Sequence, residues 1–131
     1  MSAVASPLRA RVAAIPALAG KYAELSVDEL EALGRRAIAA SCVACHALEN
    51  LDNEGVRAVL RSSSIAGEQL VAIVWASYRF GITLPFELFA AWFDDLWFPS
   101  AEDVIVAVDG EVRLILDHEE QLSVMASDPQ S

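Results

Sequence analysis

"AGEQLVAIVWASYRFG", residues 66–81, is the stretch on which the fold turns. Its charges are almost confined to Glu68 and Arg79, so as a helix it is apolar nearly all round, the mark of a helix inside a core. Gly81 then stands where a C-cap belongs. The spacing predicts the central buried helix of the protein. Downstream, "LPFELFAAWFDDLWF" carries Pro85 at a first-turn position, and Phe86, Phe89, Phe93, Leu96 and Trp97 recur at helical spacing, with Glu87, Asp94 and Asp95 on the far side. Pro99 stops this helix.

Upstream, "GVRAVLRSSS" predicts a short helix closed by its serines, and "LDNEG" a turn before it. "SVDE" at 26–29 is a capping box, in which Ser26 and Glu29 satisfy each other's amides. It opens a helix expected from Val27 to about Asn50, whose wheel sets Leu30, Ala37, Ser41, Cys45 and Leu48 along one face. A first short helix runs from the Ser6-Pro7 pair to about Ala19, limited by Pro16.

The period changes beyond Pro99. "DVIVAVDGEVRLIL" holds two β-rich runs, Val104 to Val108 and Val112 to Leu116, joined by Asp109-Gly110, a strong hairpin signal. Gln121 to Met125 adds a third short strand. The expectation is an α+β protein, an N-terminal helical bundle of about four or five helices followed by a small antiparallel β-hairpin or three-stranded sheet. Its parts are an N-terminal helix at 1–20, a helical core at 26–98, a β-hairpin region at 103–125 and a disordered tail at 126–131, all in a single domain, 1–131. A chain of 131 residues, 55% of them hydrophobic, suffices for one core and not for two.

No window supplies the uncharged apolar run that a membrane-spanning helix requires, and no uninterrupted apolar region precedes a cleavage site near the start. The cytoplasm is the expected setting, and a membrane is not an expected partner. The net charge of −10 is unevenly placed. Residues 1–80 balance their acids against their bases. Residues 81–131 hold Glu87, Asp94, Asp95, Glu102, Asp103, Asp109, Glu111, Asp117, Glu119, Glu120 and Asp128 against Arg113 alone. Nucleic acid is disfavoured as a partner, because phosphates need a basic face; a basic protein is favoured.

Three groupings could carry chemistry. "CVACH" has the spelling of a haem c attachment site, two thiols with an adjacent axial histidine, here Cys42, Cys45 and His46, with Met125 or His118 as a second ligand. That attachment takes place outside the bacterial cytoplasm, and the helical wheel gives Cys45 a place on the apolar stripe as a small hydrophobe. A zinc site from Cys42, Cys45, His46 and His118 lacks a second compact ligand pair. Thioredoxin-like chemistry wants the thiols at a helix N-terminus, not deep within a helix. The cysteines are therefore read as structural, with no cofactor and no metal. "DHEE" at 117–120 sets His118 among carboxylates, as a general acid–base pair would need, yet no nucleophile, phosphate cradle or metal cluster accompanies it, so no catalytic residue is assigned. The aromatic run is expected to be core through Phe86, Phe89, Phe93 and Leu96, leaving Trp92 or Trp97 as a partly exposed anchor beside Asp94 and Asp95.

"FDDLWFPSAEDVIVAVDGEVRLILDHEEQLSV", residues 93–124, resembles small bacterial immunity-type proteins of polymorphic or contact-dependent toxin systems. The resemblance lies in Phe98, Pro99, Ser100, Glu102 and Asp103, then a hairpin, then His118 and Glu119, and it covers the last third of the chain. It implies a non-enzymatic protein that neutralises a toxin domain, often a nuclease with a basic groove, by covering its active surface. The expected partner-binding residues are Trp92, Asp94, Asp95, Trp97, Glu102, Asp103, Asp109, Glu111, Asp117, Glu119 and Glu120, an acidic set needing no catalytic group. The alternative is a c-type haem electron-transfer protein using Cys42, Cys45 and His46. Neither reading fixes the oligomeric state.

Overall fold

A computed structural model describes residues 6–63, 65–75, 79–97 and 103–126. It corrects the expected fold class. In place of a helical bundle followed by a hairpin, the described chain is built on a seven-stranded antiparallel sheet with helices interspersed along the sequence. In chain order the elements are α1 (Ser6–Ala13), a 3-10 turn (Pro16–Leu18), β1 (Ala23–Glu24), α2 (Val27–Ala39), β2 (Cys42–Ala47), α3 (Asn53–Arg61), β3 (Leu70–Trp75), β4 (Phe80–Pro85), α4 (Phe86–Leu96), β5 (Val104–Val108), β6 (Glu111–Leu116) and β7 (Gln121–Met125). The strand order is β1-β4-β3-β5-β6-β7-β2.

The central helix expected at 66–81 is instead a pair of strands, β3 against β4, with Leu70 opposite Pro85 and Trp75 opposite Phe80. "LVAIVW" is rich in β-branched residues, and a short apolar run of this kind suits a strand covered on both faces as well as a buried helix. Gly81 lies within β4 and not at a helix end; a Cβ there would meet the Ile73 carbonyl oxygen at 2.8 Å and the side chains of Leu25 and Leu30 at 2.8 and 2.9 Å. Glycine leaves room for the Leu25 and Leu30 side chains to lie against β4, while the Leu25 amide continues the β1–β4 ladder by donating to the Gly81 carbonyl at 2.9 Å. The expected long helix from Val27 likewise ends early, at Ala39, and "CVACHA" becomes β2, paired antiparallel with β7.

Two helical layers cover the sheet. One face buries Ile73, Trp75, Ile82, Leu84, Val104, Val106, Leu114 and Leu116 against Leu8, Val12, Leu60, Phe86, Phe89, Phe93 and Trp97 from α1, α3, α4 and the residue that follows α4. The other buries Val74, Ile105, Ala107, Val112 and Met125 under Leu33 of α2. Residues of β5 are buried on both sides, which accounts for the unbroken "VIVAV". Asp109 and Gly110 both take positive φ, 52° and 83°, as the tight β5–β6 turn demands. The Ser26–Glu29 capping box forms, with the Glu29 amide donating to Ser26 Oγ at 3.2 Å and the Ser26 amide to Glu29 Oε1 at 2.9 Å. No helix among the described residues is long and apolar enough to cross a membrane.

Two β-bulges shape the sheet. Register shifts between Val106 and Ala107 of β5, where β6 places Leu114 and Val112 opposite them, so Arg113 is the extra residue. It shifts again between Cys42 and Ala44, opposite Met125 and Val124, so Val43 is the extra residue of β2.

Candidate functional site

The antiparallel topology collects distant carboxylates at one end of the sheet. Trp75 ends β3 opposite Val104, and its indole Nε1 donates to the Leu96 carbonyl at 2.7 Å, which fixes the end of α4 beside the start of β5. Asp94, Asp95 and Asp103 thus lie at this end. The β6–β7 turn brings Asp117, Glu119 and Glu120 to the same end, where the His118 amide and ring Nδ1 meet Asp103 Oδ1 at 2.8 and 2.9 Å. β2 finishes there too, since the Leu48 amide donates to the Glu120 carbonyl at 2.8 Å. Asp52, Asn53 and Glu54 of α3 come close through the bond from Asn53 Nδ2 to Asp94 Oδ2 at 3.3 Å. The N-terminal half, balanced in total charge, therefore adds acids to this end; nothing in the sequence alone brings positions 49–54 beside 94.

These carboxylates divide by task. Asp94 accepts from Arg57 at 3.5 Å, and Arg57, only 14% exposed in its side chain, also donates to the Ala90 and Ala91 carbonyls at 3.1 Å each and to Glu54. Those carbonyls immediately precede Trp92, whose torsions of −117° and 18° break the regular helix, so Arg57 supplies donors where α4 is kinked. Asp117 is a turn residue, its Oδ1 accepting from the amides of Glu119 at 2.9 Å and Gln121 at 3.1 Å. Asp103 holds His118 and, with a hydrogen bond as the main cause and its charge next, raises the imidazole above its ordinary pKa. Among the described residues no hydrogen bond or ion pair holds the side chains of Asp95, Glu119 and Glu120, although the Glu119 charge also acts on His118.

Asp109 and Glu111 lie elsewhere. They flank the β5–β6 turn at the opposite end of the sheet, beside a groove of about 310 Å³ between α2 and the sheet whose walls include Leu33, Ala72 and Ala107. Arg36 bridges the groove by donating to the Gly110 carbonyl. The expected anchors also separate: Trp97 is 1% exposed and belongs to the core, whereas Trp92 is half-buried against it. Glu102, Phe98, Pro99 and Ser100 lie outside the described residues.

Cys42 and Cys45 are free, exposed and on an edge strand, not on the apolar stripe of a helix. Consecutive strand residues point to opposite faces, so Cys45 and His46 diverge. Two thiols and the histidine do not bracket one macrocycle, and His118 lies in the β6–β7 turn. Among the described residues no three His, Cys, Asp or Glu side chains converge as metal ligands. Comparison of the chain with protein-family models, curated proteins and solved structures gives no match.

Proposed function

We propose that the protein is a non-enzymatic binding protein of the cytoplasm that neutralises a basic toxin domain of nuclease type by occluding its active surface. The observation that carries this reading is the gathering of Asp94, Asp95, Asp103, Asp117, Glu119 and Glu120 at one end of the sheet, contributed by α4, the residue before β5 and the β6–β7 turn. Negative potential concentrated on one end attracts a cationic partner, speeds encounter and fixes register. Asp95, Glu119 and Glu120 carry the attraction, since no hydrogen bond or ion pair to another described side chain holds them; Asp94, Asp103 and Asp117 keep the surface in shape. The resemblance of residues 93–124 to immunity-type proteins gives the partner its class. Trp92, half-buried beside Asp94 and Asp95, is the remaining aromatic anchor.

The tagged chain, used to retrieve partners from its host, is expected to recover a basic protein whose affinity falls steeply with salt. Asp95→Lys with Glu119→Lys should weaken that complex and flatten its salt dependence while circular dichroism stays unchanged. Undiminished binding by the doubly reversed variant would sink the proposal.

A further inference from the structure

The bulge at Val43 has a chemical result. In a regular strand, residues three apart face opposite ways, and Cys42 and Cys45 would diverge. The extra residue restores them to one side. Cys42 stands opposite Met125, and Cys45 opposite Ser123. Residues directly opposite one another in an antiparallel pair share a face, and Met125 and Ser123, two apart on β7, share theirs. The contact of Cys45 Sγ with Gln121 Oε1 at 3.4 Å agrees, because Gln121 is the next β7 residue on that face. Every sulfur atom among the described residues therefore lies on the α2 side of the β2–β7 edge. Both thiols are exposed, and Met125 is 8% exposed in the cluster that also holds Leu33 and Ala37 of α2.

We infer that Cys42, Cys45 and Met125 form a binding site for a soft, low-coordinate metal ion of the copper(I) class, assembled by the β-bulge at Val43. Thiolate and thioether donors select such ions over harder ones. Zinc, by contrast, asks for four ligands, and the nearest histidine, His46, projects from the other face. Binding is balanced as one copper(I) and two thiols giving a bis-thiolate complex and two released protons, with the Met125 thioether as a neutral third donor and no change of oxidation state. Affinity should accordingly rise with pH.

The test uses the full chain, reduced with a non-thiol reductant and kept free of oxygen, in competition with a chromogenic copper(I) chelator. The parent protein is expected to withdraw one ion, with thiolate-to-copper absorption in the ultraviolet. Cys42→Ser and Cys45→Ser should each remove that uptake, Met125→Leu should weaken it about tenfold, and His46→Ala should leave it intact. Circular dichroism checks the fold of each variant, and Cys42 and Cys45 are exposed enough for their serine forms to fold. Failure of the parent to withdraw copper, equal uptake by either serine variant, or loss of uptake in His46→Ala would overturn the assignment.

Discussion

The two faces of the sheet are built on different scales. Beneath α1, α3 and α4 lies a core of large aromatic and aliphatic side chains, Trp75, Phe86, Phe89, Phe93 and Trp97 among them. Beneath α2 the buried groups are aliphatic, with no aromatic ring among them: Val74, Ile105, Ala107, Val112, Met125 and Leu33. The aromatic face supplies bulk and so sets overall stability. The α2 face gains closeness instead, with Gly81 in the sheet giving up its side chain so that Leu25 and Leu30 can sit against β4. The difference teaches that one sheet can be held by volume on one side and by proximity on the other, so equal truncations on the two sides should not cost the same.

The largest effect is expected on the aromatic face, where Leu60→Ala removes a fully buried side chain packed in the cluster of aromatic rings and should cost about 3–5 kcal/mol in urea unfolding. Leu33→Ala, the corresponding truncation under α2, should cost about 2–3 kcal/mol, near the lower end for leucine because a single helix can settle into the space. Equal losses at the two positions would erase the distinction. Proximity itself is tested by Gly81→Ala: its Cβ collides with a carbonyl oxygen that cannot step aside, so a loss of about 1–3 kcal/mol is expected although the change adds apolar surface. A neutral result would show that α2 is free to lift away.

Smaller still, Ser26→Ala should cost about 1 kcal/mol by leaving the Glu29 amide without its cap, read as a shift in the urea midpoint. The smallest effect concerns pH. The Asp103 hydrogen bond raises the folded pKa of His118 above 6.5, so the pair stabilises the fold fully below that ordinary value and the benefit is lost as pH rises through the raised one. His118 is exposed and screened, so the slope should be shallow. Urea midpoints measured across this window should fall slightly with pH in the parent and stay flat in Asp103→Asn.

The parts of the fold legible in the sequence are those with a local cause. Asp109-Gly110 between two alternating runs specifies the β5–β6 hairpin, Ser26 and Glu29 specify the start of α2, and the spacing of Phe86, Phe89 and Phe93 specifies the buried side of α4. Illegible were the segments whose conformation depends on a remote neighbour. The stretch "AIAASCVACHA" has the alanine content and wheel of a helix, yet residues 42–47 are a strand because β7 provides the hydrogen bonds, a tertiary override of propensity. Residues 70–75 and 80–85 form two strands that are mostly buried on both faces and lack the full alternation that betrays a one-sided strand. The candidate site divided on the same line. Asp117, Glu119 and Glu120 share a turn and were visible as a group, whereas Asp52, Asn53, Glu54 and Arg57 join Asp94 only through the packing of α3 on α4. Val43, whose insertion turns both cysteines to one side, carries no signal of its own.

The pairing of β2 with β7 joins positions such as Cys45 and Gln121, 76 apart in the chain. During synthesis the ribosome releases β2 long before its partner exists, and loop closure over that span is slow compared with forming a hairpin. Until the last strand emerges, an uncharged ribbon of six residues waits with its backbone amides bare. Completion of this pairing thus waits on β7, and anything that delays β7 prolongs the interval in which nascent chains can stitch to one another.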